Sequence, residues 1–142
     1  MVGILASLPP VLLAIFILFK NCLALLFSFF LSPLFCLVPV MTLTVNGWLI
    51  GVVATEVTQN ISLGYLLAGL LPHGIFEVPA LMIGEAAAFG FGSSVFLSVF
   101  RKNKPGYLTA SFKKNLRYLI LAMLLMVPAA LIETFITPLF LG

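Results

Sequence analysis

The stretch IFEVPALMIGEAAAFGFGSSVFLSVF, residues 75–100, decides the fold class of this chain. Its only charged residues are two glutamates, and a helix that crosses a bilayer needs about 20 mostly apolar residues. Across the whole chain of 142 residues, 63% are hydrophobic and 8% are charged. Soluble domains carry about 25% charged residues. The composition therefore excludes a water-solvated globule and indicates a polytopic integral membrane protein.

Apolar runs on both sides of this stretch are long enough to complete a helical bundle; they cover residues 2–19, 22–41 and 118–141. The polar pair Lys20-Asn21 predicts a hinge between the first two runs. Pro33 predicts a kink in the second run, because proline removes a helix hydrogen bond. We expect an all-α membrane bundle with about four spanning helices, forming a single transmembrane domain over residues 1–142.

Residues 46–72 interrupt this regular pattern. Asn46-Gly47 is a strong turn signal, and Pro72-His73-Gly74 is a second signal for a turn or a helix break. The apolar pieces between them, 48–54 and 61–71, are too short to span. They predict a re-entrant pair of short helices on the outer side, which is tolerated only where protein or water covers the backbone. The alternative is a full span in this segment.

The positive charges are concentrated in one loop. Six of the seven Lys and Arg residues lie within residues 101–117, and the formal net charge is +3. A short basic loop between apolar runs marks the cytoplasmic side. We therefore expect 101–117 and Lys20 to be cytoplasmic and both termini to lie outside, in a multi-pass protein of the cell membrane. Membrane lipid, other membrane proteins and a second copy of the chain are the expected partners, and nucleic acid is not.

Ionisable residues inside the apolar runs form a candidate intramembrane polar or ion site. His73 and Glu77 are four residues apart and share a helical face. By helical rise, Glu133 lies level with them in the outer third of the bilayer, and Glu85 lies deeper, near the midplane. Such residues are costly in lipid and usually face protein or a wet cavity. The structural alternative is that these carboxyls only hydrogen-bond neighbouring helices.

A catalytic or metal centre is not indicated. His73, Glu77 and Glu133 would make a three-ligand set, but the chain has no second histidine and no His-Glu-x-x-His motif. Proteolysis by serine or cysteine needs a base beside the nucleophile, and no nucleophile lies at the depth of the histidine. Cys22 and Cys36 lie in apolar runs at neither metal nor redox spacing. We expect no enzymatic activity, no cofactor and no metal.

Small residues recur every four positions along the stretch 75–100, at Ala80, Gly84, Ala88 and Gly92. Such a ridge lets a second helix approach closely. An internal packing seam and a dimer face are both compatible with it. At 100° per residue the ridge lies on the same side as His73 and Glu77, so it would bring these groups against another helix.

Three motifs resemble the stage II sporulation protein M family. They are LLPHGIFEVPA at 70–80, Asn46-Gly47 followed by Gly51, and ALIETFITP at 130–138. The resemblance extends from about Asn21 to the C-terminal end. The motif positions carried over are Asn46, Gly47, His73, Gly74, Glu77 and Glu133.

The resemblance implies a non-enzymatic membrane protein that acts as a scaffold or subunit of a membrane or envelope complex. The sporulation member belongs to a membrane complex whose partners degrade peptidoglycan, and no catalytic activity of its own is assigned. The short N-terminal region is typical of an archaeal-type or minimal member. The alternative is a small transporter or channel component whose His/Glu cluster binds protons or cations, since transporter sites are built where helices are interrupted beside buried charge.

Overall fold

The computed structural model describes residues 9–34, 36–100 and 105–141. In these ranges the chain forms five α-helices and one π-helical segment: α1 Pro10–Leu31, α2 Leu37–Asn60, α3 Leu63–Phe100, α4 Tyr107–Leu131, the π-helical segment Ile132–Ile136 and α5 Thr137–Leu141. Four stretches are long and apolar enough to cross a membrane: Pro10–Leu31, Leu37–Asn60, Gly74–Phe100 and Tyr107–Leu139. The predicted all-α bundle with about four spanning helices is confirmed.

Helix α1 continues through Lys20-Asn21, so the predicted hinge at this pair is wrong. Neither residue breaks a helix, and a backbone surrounded by apolar groups retains its internal hydrogen bonds. The Asn21 amide is bonded to Glu77 of α3, so tertiary packing accommodates this polar group. Pro10 is the first helical residue, where its fixed φ favours helix initiation. Pro33 lies in the turn after α1 instead of kinking a helix.

Helix α2 passes through Asn46-Gly47, so the predicted turn at this dipeptide is also wrong. The Asn46 side chain donates to the Thr42 carbonyl oxygen at 2.8 Å, which satisfies the amide within the helix. The actual turn comes at residues 61–62. There Ser62 caps α3, because its Oγ accepts a hydrogen bond from the backbone N–H of Tyr65 at 3.1 Å.

The predicted short helices differ from the observed elements. Residues 48–54 are part of α2, and residues 61–71 fall mainly in the first turns of α3. Helix α3 continues through Pro72 and Pro79, each of which removes one internal hydrogen bond without ending the helix. The re-entrant position of this hairpin relative to the membrane stays a prediction.

Much of the basic segment 101–117, which was predicted to be a loop, is helical. Residues 101–104 lie outside the described residues, Gly106 has a φ of +85° that favours glycine, and α4 begins at the next residue. Residues 107–117 are therefore helical. Alanine, lysine, leucine and arginine in this segment are good helix formers, and its apolar side packs against α3. The cytoplasmic location of 101–117 stays a prediction.

Polar and close contacts define the directions of the helices. Contacts between α1 and α3 keep a nearly constant offset in residue number, which means that these helices are parallel; the pairs are Asn21–Glu77, Ser28–Glu85 and Ser32–Ala88. Between α3 and α4 the numbers rise on one helix as they fall on the other, which means that they are antiparallel; the pairs are Ser94–Ser111, Gly90–Asn115 and Gly84–Ala122.

The hydrophobic core lies between α1, α3 and α4. Phe29, Phe91 and Phe112 contribute one ring from each helix, with centroids 5.1 to 6.0 Å apart. Helix α2 is peripheral, and Pro39 is its buried residue. The bundle is thus a packed three-helix unit with α2 on its outside.

The small-residue ridge of α3 lies inside this three-helix unit. Ala80 and Ala88 are completely buried. A Cβ added to Gly84 would come within 2.6 Å of the Leu25 side chain, and one added to Gly92 would come within 2.5 Å of the Ser32 carbonyl oxygen. Here the ridge serves as an internal seam that lets α1 approach α3 closely.

Candidate intramembrane polar site

Asn21 and Glu77 form the first contact of a polar layer between α1 and α3. The Asn21 Nδ2 donates to Glu77 Oε1 at 3.3 Å, and both residues are partly buried. Asn21 lies near the middle of α1, so the contact occurs at a depth where an uncompensated polar group is costly. The hydrogen bond to the carboxyl reduces this cost.

Lys20 and Glu133 line one cavity of about 450 Å³ next to this contact. The remaining walls come from the hairpin of α2 and α3 and are mostly apolar: Leu49, Ile50, Val53, Val57, Tyr65, Leu66, Gly69 and Leu70. An ammonium and a carboxyl group therefore line the same open cavity, whose other walls are mostly apolar. Opposite charges in such an environment interact more strongly than in water.

Glu133 is presented by the π-helical segment at the end of the last span. This segment follows Pro128, which lacks a backbone N–H and interrupts the regular ladder of α4. Continuing the antiparallel register of α3 and α4 places Glu133 level with residues 72–73, one turn before Glu77. Short π-helical insertions are frequent at functional sites.

Glu85 lies apart from this cavity, about 12 Å further along α3 than Glu77 by helical rise. It is 1% exposed. Ser28 Oγ donates to its Oε2, and its Oε1 has no hydrogen-bond partner among the described residues. One turn further, Ser32 Oγ donates to the Ala88 carbonyl oxygen at 2.6 Å. These contacts form a buried polar seam.

The predicted site residues His73, Glu77, Glu133 and Glu85 occupy more than one level of the bundle. Glu77 and Glu133 occur one helical turn apart in level, and Glu85 belongs to the seam. His73 is helical, and its side chain lies outside the described residues. Among the described side chains no three His, Cys, Asp or Glu residues converge as metal ligands.

Sequence reasoning missed the polar residues of α1. Lys20 was expected in a cytoplasmic hinge, whereas it lines the cavity. Asn21 and Ser28 of α1, and Ser32 directly after its last residue, contact α3, yet they were not among the expected site residues. Their spacing of seven and then four residues places them on one helical face. This spacing was the available signal once α1 is read as one continuous helix.

The comparisons with known proteins agree with this architecture. The model of the family described as stage II sporulation protein M matches residues 3–138. The chain belongs to the stage II sporulation protein M family. The match begins before Asn21, where the resemblance was expected to start, and includes α1 in full.

A relative of this family member occurs in Methanocaldococcus jannaschii and is described as an uncharacterized protein. The two are 33% identical over 69% of this chain and 56% of the relative. The chain thus spans about half the length of this curated relative. The archaeal origin of the relative is consistent with an archaeal-type family member. No solved structure matches the chain.

Proposed function

We propose that this stage II sporulation protein M family member is a non-enzymatic scaffold or subunit of a complex in the cell membrane. The observation that carries the proposal is the exposure of α2. This helix has 24 residues and is long and apolar enough to span, yet Pro39 is its buried residue. A helix that is long and apolar enough to span, and whose side chains are so little buried by its own chain, is available for contacts with another membrane protein.

The outward face of α2 has the surface chemistry of a helix–helix interface. At 100° per residue, Thr44, Trp48, Gly51 and Thr55 lie opposite the side that lines the Lys20 cavity. Thr44 and Thr55 donate to backbone carbonyl oxygens four residues earlier, at 2.8 and 2.9 Å, so their hydroxyls are satisfied within the helix. A Cβ at Gly51 would meet nothing within 4 Å. Small residues on an open helix face support close approach by another helix.

Substituting Gly51 with leucine tests this proposal. The substitution adds bulk into open space, so the isolated chain should fold normally while close approach by a partner helix is blocked. The matched control is Ala86→Leu, which adds similar bulk at an exposed position of α3. We expect the wild-type protein, extracted from its own membranes in mild detergent, to migrate above the mass of one chain on a native gel.

The expected result is a shift of Gly51→Leu to the mass of one chain, with Ala86→Leu unchanged. Expression in an unrelated host separates self-association, which survives there, from a complex with a different protein, which does not. A wild-type protein that is already monomeric in its own membranes, or a Gly51→Leu variant that retains the large complex, would contradict the proposal.

A second candidate function, a small transporter or channel component, is favoured by the cavity that contains Lys20 and Glu133. Cation or proton flux into liposomes carrying the purified protein would test it, with Glu133→Gln expected to abolish the flux. The nearly complete burial of Glu85 favours the scaffold, since a transport path was expected to bring water to this carboxyl.

A further inference from the structure

The outward face of the first half of α4 carries three cations around a surface cavity. This cavity, about 440 Å³ in volume, is lined by residues that share one helical face: Ala110, Lys113, Lys114, Arg117, Tyr118 and Leu121. Tyr118 and Leu121 are 47% and 46% exposed. Cationic and apolar side chains are therefore adjacent in one concave surface.

The opposite face of this helix is covered by its own chain. The Phe112 ring stacks edge-on against Phe91 of α3, with centroids 5.3 Å apart. Ser111 Oγ donates to Ser94 Oγ at 2.7 Å. Leu119 is 1% exposed. Because these contacts orient α4, the basic face points away from the bundle.

The length of the last span places the cations at the membrane surface. The stretch Tyr107–Leu139 has 33 residues, which is about 50 Å at 1.5 Å per residue, whereas the hydrocarbon layer is about 30 Å thick. The helix is therefore longer than the hydrocarbon layer, and its excess length lies outside this layer at the end that carries Lys113, Lys114 and Arg117, since cations in hydrocarbon are costly. Arg117 is the last Lys or Arg residue of the sequence, and tyrosine, which follows at position 118, is enriched at the interface. Arg117 therefore lies at headgroup level.

Within the described part of the chain, no side-chain carboxylate is placed beside these cations. All four carboxylates are engaged elsewhere: Glu56 with Asn60, Glu77 with Asn21, Glu85 with Ser28, and Glu133 in the cavity of Lys20. We infer that the α4 cavity binds an anionic phospholipid, whose phosphate is held by Lys113, Lys114 and Arg117. An acyl chain would follow the apolar side chains of Tyr118 and Leu121 toward the membrane interior.

The apolar part of the cavity distinguishes a lipid from free phosphate. Lys and Arg alone would attract any phosphate group. The same helical face continues without a break from Arg117 to Leu121, one turn deeper in the span. Basic pockets on spanning helices at the membrane surface are suited to anionic headgroups. A phospholipid can contact both the cationic and the apolar part of the cavity, whereas inorganic phosphate can contact only the cationic part.

Native mass spectrometry of the full-length protein tests this inference. The protein is mixed in detergent with phosphatidylglycerol, with phosphatidylcholine, or with phosphatidylglycerol plus excess inorganic phosphate, and retained lipid is counted. The test variant is K113Q/K114Q/R117Q. The matched control, R101Q/K102Q/K104Q, removes the same number of positive charges earlier in the chain.

We expect wild-type protein to retain phosphatidylglycerol in preference to phosphatidylcholine and to resist competition by phosphate. The test variant should bind phosphatidylglycerol about a hundredfold more weakly, from the usual contribution of three cations near a membrane surface. The control should retain most of its binding. Equal losses in the two variants, or displacement of the lipid by phosphate, would overturn the inference.

A measurement on wild-type protein keeps the inference testable if the variant does not fold. Raising NaCl from about 50 to 500 mM shortens the distance over which charges interact. The preference for phosphatidylglycerol should therefore decrease with salt, while the retention of phosphatidylcholine stays constant. A preference that is independent of salt would overturn a site based on cations.

Discussion

Replacing Gly92 with alanine tests whether the close approach of α1 and α3 holds the bundle together. The added Cβ would lie 2.5 Å from the Ser32 carbonyl oxygen and 2.7 Å from its carbonyl carbon. Both are backbone atoms, so they cannot move aside as a flexible side chain does. The helices must therefore separate locally, which also weakens the 2.6 Å hydrogen bond from Ser32 Oγ to the Ala88 carbonyl.

The expected net effect on the free energy of unfolding is a loss of about 1–3 kcal/mol. Overpacking a core typically costs about 1–3 kcal/mol, and losing a hydrogen bond costs about 1 kcal/mol more. The gain in helix propensity from glycine to alanine offsets about 1 kcal/mol. The assay is unfolding by sodium dodecyl sulfate in mixed micelles, followed by circular dichroism.

Gly47→Ala is the matched control, because a Cβ at Gly47 would meet nothing within 4 Å. The same chemical change should there be neutral or stabilising by up to about 1 kcal/mol. Gly84→Ala should fall between the two, since the atoms it meets first belong to the flexible Leu25 side chain. Equal stabilities of the Gly92 and Gly47 variants would refute the reasoning.

Three further predictions concern the polar contacts and the topology. Ser28→Ala removes the hydrogen bond to the buried Glu85. We therefore expect the free energy of unfolding to decrease by about 1–3 kcal/mol in the same assay. A variant as stable as wild type would argue against this bond. Glu77→Gln should fold normally because its amide oxygen can still accept the hydrogen bond from Asn21 of α1. Glu77→Leu should lower the free energy of unfolding by about 1–3 kcal/mol. Equal losses of stability in both variants would show that the charge, and not the hydrogen bond, matters. With both native cysteines replaced, an impermeant thiol reagent applied to intact cells should label Gln59→Cys and not Lys104→Cys, and the reverse pattern would invert the topology.

The sequence predicted the number and type of elements better than their boundaries. Apolar composition and run length were sufficient for the number of candidate spanning helices. The first two, Pro10–Leu31 and Leu37–Asn60, do not follow the predicted runs 2–19 and 22–41. Turn propensity failed at Asn46-Gly47 and at Lys20-Asn21, because both pairs lie in helices whose surroundings offer the backbone no better hydrogen-bond partners. The Asn46 amide bonds within α2 and the Asn21 amide bonds across to α3. Turn propensities derived from water-exposed turns do not include the cost of leaving backbone groups without hydrogen bonds in apolar surroundings.

The sequence put His73, Glu77 and Glu133 at one level, and their convergence into one cluster stays a prediction. The register of α3 and α4 puts Glu133 level with residues 72–73, one turn before Glu77. Lys20 was assigned to the cytoplasmic side because positive charge usually marks it. In the structure this residue shares a cavity with Glu133, which no pattern in the sequence indicates, since the two lie at opposite ends of the chain.

The sequence by itself determined that the protein is a helical membrane protein of the stage II sporulation protein M family. Hydrophobic run length and family motifs are local properties, and they need no knowledge of which helices touch. Only the tertiary structure decided that α1 runs parallel to α3, that Ser28 meets Glu85, and that α2 remains outside the core. These outcomes depend on which side chains can approach closely, and Gly84 and Gly92 allow that approach only because α1 lies against them.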